Sequence, residues 1–161
     1  MKVRNILAVA LSFLAAVAVL AQAEKKMSAS KGGGSAAVIM PAADLKWTDL
    51  DGAPGVKTVD VWGDHNKGAY KGFTKFPAGF TTPLHTHTST MRIAIISGTF
   101  IHTPEGKPEA RLGPGSYLLQ PGGTYRHTTA CDKASECLFY IEGDGKFDLI
   151  PVEAGKAPAK K

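Results

Sequence analysis

The sequence predicts an all-β protein, a sandwich or barrel of about eight to ten short strands, and three observations support this fold class. Clusters of glycine, proline, aspartate and asparagine recur along the chain and predict turns. The segments between them are short and rich in β-branched and aromatic residues, and several alternate polar with apolar residues. Beyond the N-terminal apolar run, no stretch has a helical apolar period long enough to predict a helix.

The first 23 residues predict a secretory signal peptide. A basic segment, MKVRN, precedes the apolar run ILAVALSFLAAVAVL, which ends in the small residues of AQA. We expect cleavage after Ala23, which would place the protein in the periplasm or outside the cell. The alternative is an uncleaved membrane anchor, because the run is about long enough to reach partway across a bilayer. The small residues and the charged EKK beyond them favour cleavage, after which we expect no stable membrane insertion.

The chain after the leader is predicted to hold one folded domain between two polar ends. Residues 24–40 are glycine-rich and predict a flexible linker, residues 41–152 the barrel, and residues 153–161 a disordered basic tail. The net charge is +5, but between Asp44 and Ile150 there are 11 basic and 12 acidic residues. The folded part therefore has no basic stripe, and nucleic acid is not an expected partner.

The predicted strands follow the leader and linker in a regular series. They are the segments KTVDVW (57–62), AYKGFTKF (69–76), RIAIISGTFIH (92–102), SYLLQ (116–120), TYRHTT (124–129), CLFYI (137–141) and KFDLI (146–150). Cys131 and Cys137 are separated by five polar or small residues, and in an exported protein this pair predicts a disulfide between adjoining strands. The alternative is a pair of metal-binding thiols.

The candidate functional residues begin with His85 and His87. Residues i and i+2 of a strand face the same way, so these two imidazoles would project together toward a metal. Glycines frame the pair: Gly79, five residues, His-Thr-His, three residues, Met91, six residues, Gly98. Downstream, Gly115 is followed by five residues, then Pro-Gly-Gly at 121–123, and then His127.

These two frames resemble the two motifs that define the cupin superfamily, including its bacterial members of unassigned function and the cupin halves of anti-sigma factors. The resemblance implies a single double-stranded β-helix, or jelly-roll, barrel with a metal inside, and it makes a homodimer plausible. Two positions depart from the family pattern. Met91 stands where the family has a glutamate ligand, and Arg126 stands where the second motif has its histidine, which here comes one residue later.

We therefore expect a three-imidazole site of His85, His87 and His127, suited to zinc, iron or copper. Met91 is read as an apolar wall of the pocket, with a thioether ligand to copper as the alternative. Arg92, Tyr117 and Arg126 are candidate pocket residues, although solvated or packing positions are the simpler interpretation. A strand-end surface position is favoured for His102.

Three functions remain open at the level of the sequence. The first is a metal-dependent enzyme, an oxygenase for example, acting on a small-molecule substrate. The second is a non-catalytic module that binds or senses a metal or a small ligand. The third is an empty barrel without metal, if the methionine at position 91 abolishes binding.

Overall fold

The structure, a computed structural model, describes residues 37–152. The chain divides into two compact units, residues 1–39 and 40–161. Of the first unit only residues 37–39 are described, and they form neither helix nor strand. The predicted signal peptide (1–23), most of the predicted linker (24–40) and the predicted tail (153–161) lie outside the described residues and stay predictions.

The described part of the chain consists of short strands that follow the predicted turns. They are β1 (Thr48–Asp49), β2 (Lys57–Gly63), β3 (Tyr70–Phe76), β4 (His85–Thr86), β5 (Met91–Ser97), β6 (Phe100–Pro104), β7 (Ala110–Leu112), β8 (Tyr117–Gln120), β9 (His127–Cys131), β10 (Cys137–Gly143) and β11 (Ile150–Pro151). A single 3-10 turn, Ala42–Asp44, precedes them. Between residues 37 and 152 no helix is long and apolar enough to span a membrane.

The strands form two antiparallel sheets, which confirms the all-β prediction. One sheet has the order β1-β2-β3-β10-β5-β8 and the other β11-β4-β9-β6-β7. The segment 92–102, predicted as one run, is two strands in different sheets, and Gly98 makes the turn between them with a φ of 77°. A Cβ at Gly98 would lie 2.3 Å from the carbonyl oxygen of Glu136, so only glycine fits there.

Two strand predictions need correction in extent. The segment 124–129 becomes a strand only from His127, because a turn precedes it. The segment 146–150 is not a strand except at Ile150, which begins β11. Instead, residues 147–149 run as irregular backbone, and the carbonyl of Asp148 accepts from the His87 ring.

The core fills the space against the inner face of the six-stranded sheet. Strands β5 and β10 alternate buried and partly exposed residues, so one face of each strand is apolar and turned inward. The buried cluster consists of Tyr70, Met91, Ile93, Ile95, Phe100, Phe139 and Ile141. These side chains form the apolar core of the described residues.

A disulfide joins Cys131 at the end of β9 to Cys137 at the start of β10. The bond therefore ties the two sheets together, since β9 and β10 belong to different sheets. It confirms the predicted pairing, and with both sulfurs in the bond the alternative of metal-binding thiols is wrong. Both cysteines are buried.

Candidate metal centre

Three histidines converge inside the barrel because of strand register. His85 of β4 lies directly opposite His127 of β9, and directly opposed side chains on antiparallel strands are near neighbours. His87 follows two residues after His85 and turns the same way, so that the Nε2 atoms of the two rings are 3.0 Å apart. The ligand nitrogens of all three histidines lie within 4.8 Å of one another, and all three side chains are buried.

Backbone carbonyl groups fix the orientation of each ring. Nδ1 of His85 donates to the carbonyl of Pro83 at 2.8 Å, Nδ1 of His87 to that of Asp148, and Nδ1 of His127 to that of Tyr125 at 3.4 Å. A carbonyl oxygen can only accept, so each Nδ1 carries the proton. In the neutral imidazole this leaves the lone pair on Nε2, the tautomer that a metal ligand requires.

The donor set fits a divalent metal ion. Three Nε2 lone pairs face one another, and the close approach of His85 and His87 is not a hydrogen bond when both atoms are acceptors. Nε2 of His127 is buried without a hydrogen-bond partner among the described residues. Buried acceptors of this kind need a cation or a donor between them, and three imidazoles suit zinc, iron or copper.

Burial keeps these imidazoles neutral at ordinary pH. It lowers the pKa of His85, lowers that of His87 to about 4, and lowers that of His127 to about 3 with a further contribution from the neighbouring His85. Since the charged form of each ring is disfavoured, the lone pairs remain available to a metal well below neutral pH.

The turn before β9 explains why His127 and not Arg126 faces the other two histidines. Gly122 packs so closely on the preceding motif that a Cβ there would lie 2.5 Å from the carbonyl of Thr88. Gly123 adopts a φ of 80° and donates its N–H to the carbonyl of His87 at 2.8 Å. This turn shifts by one residue the positions of the strand that face inward, so that His127 is inside.

Met91 points into the barrel from β5 but belongs to the apolar core. It is 4% exposed, and its sulfur accepts a hydrogen bond from the Tyr70 hydroxyl at 3.7 Å. An apolar thioether thus stands where the family pattern has a carboxylate, and its sulfur already has a polar partner. This geometry favours the interpretation of Met91 as a pocket wall.

We expect Met91→Leu to bind copper and zinc with affinities within about threefold of wild type, and to lose less than about 1.5 kcal/mol of folding free energy. The two side chains have similar volume, and only the contact from Tyr70 is lost. Chelator competition and urea unfolding measure the two quantities. A selective tenfold loss of copper affinity would show instead that the sulfur is a ligand.

The other predicted pocket residues lie elsewhere. Arg92 is on the outer face of β5 and pairs with Asp144 at 2.6 Å. Tyr117 is 60% exposed on β8, an edge strand. Arg126 pairs with Glu105 at 3.1 Å, beside a shallow surface depression. None of the three is brought to the histidines.

Two residues beside the three histidines, His102 and Tyr125, were not among the predicted site residues. His102 is buried at 2% exposure, so the favoured surface position is wrong. Its Nε2 lies 2.8 Å from the hydroxyl of Tyr125, and its ring centre is 4.8 Å from that of His127. Tyr125 also stacks on His127, at 5.3 Å between ring centres. Alternation along β6, where His102 shares a face with the buried Phe100, was the available signal.

Two antiparallel sheets enclose the three converging imidazoles, and this fold is the cupin fold that the solved structures below share. The chain belongs to the family described as Domain of unknown function (DUF4437), whose model matches residues 37–161.

Solved structures share the fold. An RmlC-like cupin from Shewanella frigidimarina superposes with a TM-score of 0.52 at 16% identity, over 68% of this chain and 92% of that one. The polyketide cyclase RemF from Streptomyces resistomycificus gives a TM-score of 0.61 at 16% identity, over 73% and 87% of the two chains. At these identities the likeness concerns the fold alone.

A relative of named activity matches part of the sequence. It is the dimethylsulfoniopropionate lyase DddQ of Ruegeria pomeroyi, 34% identical over 68 residues, which are 42% of this chain. The match spans about a third of the length of that relative, 34%. The crystal structure of the same lyase gives a TM-score of 0.55 at 17% identity, over 79% of this chain and 76% of that one.

Proposed function

We propose that this chain is an exported cupin enzyme that holds one divalent ion of zinc, iron or copper on the Nε2 atoms of His85, His87 and His127. The observation that carries the proposal is the set of three lone pairs that backbone carbonyls turn toward one another, with no donor from the described residues between them. A divalent ion bound there would supply a Lewis acid that polarises a substrate oxygen.

Tyr125 is proposed as the proton donor of this site. His102 Nδ1 is buried without a partner among the described residues, and an unpartnered N–H is rarer in proteins than an unpartnered acceptor. We therefore place the His102 proton on Nε2, from which it donates to the Tyr125 oxygen. The Tyr125 O–H is then free for a substrate, and burial raises the pKa of this phenol, which keeps it protonated.

The substrate is proposed to be a small organic molecule. The lyase and the cyclase named above act on such molecules, and the partial sequence match to the lyase supports lyase chemistry over the oxygenase considered from the sequence. Dimethylsulfoniopropionate, the compound in the lyase's name, is the first substrate to test.

The test combines metal content with turnover. Mature protein loaded with each metal in turn should retain about one ion per chain after dialysis, measured by plasma mass spectrometry. Metal-loaded wild type should consume the substrate, followed by NMR, and Tyr125→Phe should do so at least about 100-fold more slowly with unchanged metal content. Wild type that retains no metal would refute the proposal. Retained metal without turnover on a broad panel would leave the non-catalytic binding function.

Export is proposed from the predicted leader, and the disulfide supports it. Bonds of this type persist in oxidising compartments and are rare in the cytosol. Protein isolated from the native periplasm or medium should begin at Glu24, as intact mass would determine.

A further inference from the structure

A cavity of about 420 Å³ lies against the inner face of the six-stranded sheet. Its volume is in the range of small-molecule sites, about 300–1,000 Å³. None of the three clustered histidines lines it. Tyr70 and Phe147 form the shared wall, since both line the cavity while Tyr70 contacts Met91 and the Phe147 ring lies 5.7 Å from that of His87.

The lining of this cavity selects against anions. Five aromatic rings contribute to it, those of Tyr70, Phe76, Phe80, Phe139 and Phe147. Asp51 and Asp148 also line it, with the Asp148 carboxylate accepting from Thr88, and among the described residues no lysine or arginine lines it. Aromatic faces and carboxylates attract cations, and the described lining offers an anionic ligand no countercharge.

His65 supplies a directed acceptor at the cavity wall. Asp60 Oδ2 accepts from both the backbone N–H of His65, at 3.1 Å, and its Nδ1, at 2.8 Å. In the neutral imidazole this leaves the lone pair on Nε2. The second oxygen of Asp60, Oδ1, is buried without a partner among the described residues and leaves an unused acceptor behind the ring.

A metal is the less suitable occupant of this corner. Asp64 is the third potential ligand beside Asp60 and His65, but Lys67 already pairs with its carboxylate at 2.5 Å. What remains is an imidazole that lines the aromatic cavity and is held in place by the Asp60 carboxylate. Such an acceptor matches a ligand that is both a donor and a cation.

We propose that the cavity binds a small organic ammonium ion, in which an N–H group donates to Nε2 of His65 and the hydrocarbon part packs on the aromatic side chains. This site is distinct from the metal centre, since none of the three clustered histidines lines it. It shares a wall with that centre, so it is a second ligand site in the same barrel.

Three probes with one phenyl body and different head groups test the proposal: 2-phenylethylamine, 2-phenylethanol and 3-phenylpropionate. We expect NMR titration near neutral pH to show the amine binding at least about tenfold more tightly than the alcohol, with the acid weakest. The titrations are run on EDTA-treated and on metal-loaded protein, and the order should be the same in both.

Two substitutions locate the ligand, with Asp64→Asn as the matched control on the neighbouring exposed carboxylate. His65→Leu should weaken amine binding at least about tenfold. Asp60→Asn keeps the side-chain shape and should weaken the amine while leaving the alcohol unchanged. The proposal is overturned if the acid binds as tightly as the amine, or if no probe binds. It is equally overturned if folded His65→Leu and Asp60→Asn proteins keep wild-type affinity, or if amine binding requires the metal.

Discussion

The His127→Gln protein is expected to bind zinc, iron or copper at least about 100-fold more weakly than wild type. Removal of a residue that only orients a metal ligand typically lowers metal affinity by about 10- to 100-fold, and here a ligand itself is removed. His127 lies opposite His85 in the strand register and contributes one of the three converging nitrogens. Glutamine is of similar size and polarity, so the strand should keep its place while the imidazole lone pair is removed. Competition against a chromophoric chelator gives the affinity.

Thr128→Val is the matched control, since it changes the next residue of the same strand on the opposite face. It should leave metal affinity unchanged. Circular dichroism and urea unfolding establish that both variants are folded. Wild-type affinity in a folded His127→Gln protein would contradict the three-imidazole site, and equal losses in both variants would indicate damage to the strand instead.

A decrease in pH is expected to destabilise the metal-free protein, and this loss begins at a higher pH than the range in which most carboxylates titrate. The pKa values of His85, His87, His102 and His127 are all lowered by burial, those of His87 and His102 to about 4. In the unfolded chain a histidine has a pKa of about 6.5. Between pH 6.5 and about 4 the unfolded chain therefore binds more protons than the folded one, and stability falls as the pH falls.

Each histidine that stays neutral in the folded state is expected to lower the free energy of unfolding by about 1.4 kcal/mol per pH unit below its unfolded pKa. The full loss from that histidine is reached only below its folded pKa. Urea unfolding at pH 7, 6 and 5 in EDTA measures it. The His127→Gln protein lacks one of these groups, so its stability should fall less steeply, by about one proton's contribution. A wild-type stability that is flat from pH 7 to 5 would contradict the neutral buried cluster.

The sequence was sufficient for the fold class and for the inward positions of the histidine motif. Steric constraints require glycine at Gly98 and in the Pro-Gly-Gly turn, and these residues can be recognised in the sequence. The alternation of β5 places Met91 inside. The same alternation could have excluded Arg92 from the interior. His102 and Tyr125 were harder to assign because they lie far apart in the sequence and meet only through the pairing of β6 with β9.

The orienting partners of the histidines could not have been predicted. The carbonyl groups of Pro83, Tyr125 and Asp148 accept from the three rings, and a carbonyl is present in every residue. Asp148 lies in a segment that sequence alternation assigned to a strand, whereas its irregular backbone is what frees the carbonyl for His87. The corner formed by Asp60 and His65 likewise depends on tertiary placement beside the cavity.

Because main-chain oxygens hold the three imidazoles, the orientation of the ligands is insulated from point mutation. Where a carboxylate side chain orients a metal ligand, one substitution removes it, but no substitution removes a carbonyl group. The surrounding positions 91, 102 and 125 are therefore free to vary in evolution or in the laboratory without turning the rings. In a barrel built in this way, the side chains around the proposed metal position can change while the three imidazoles keep their orientation.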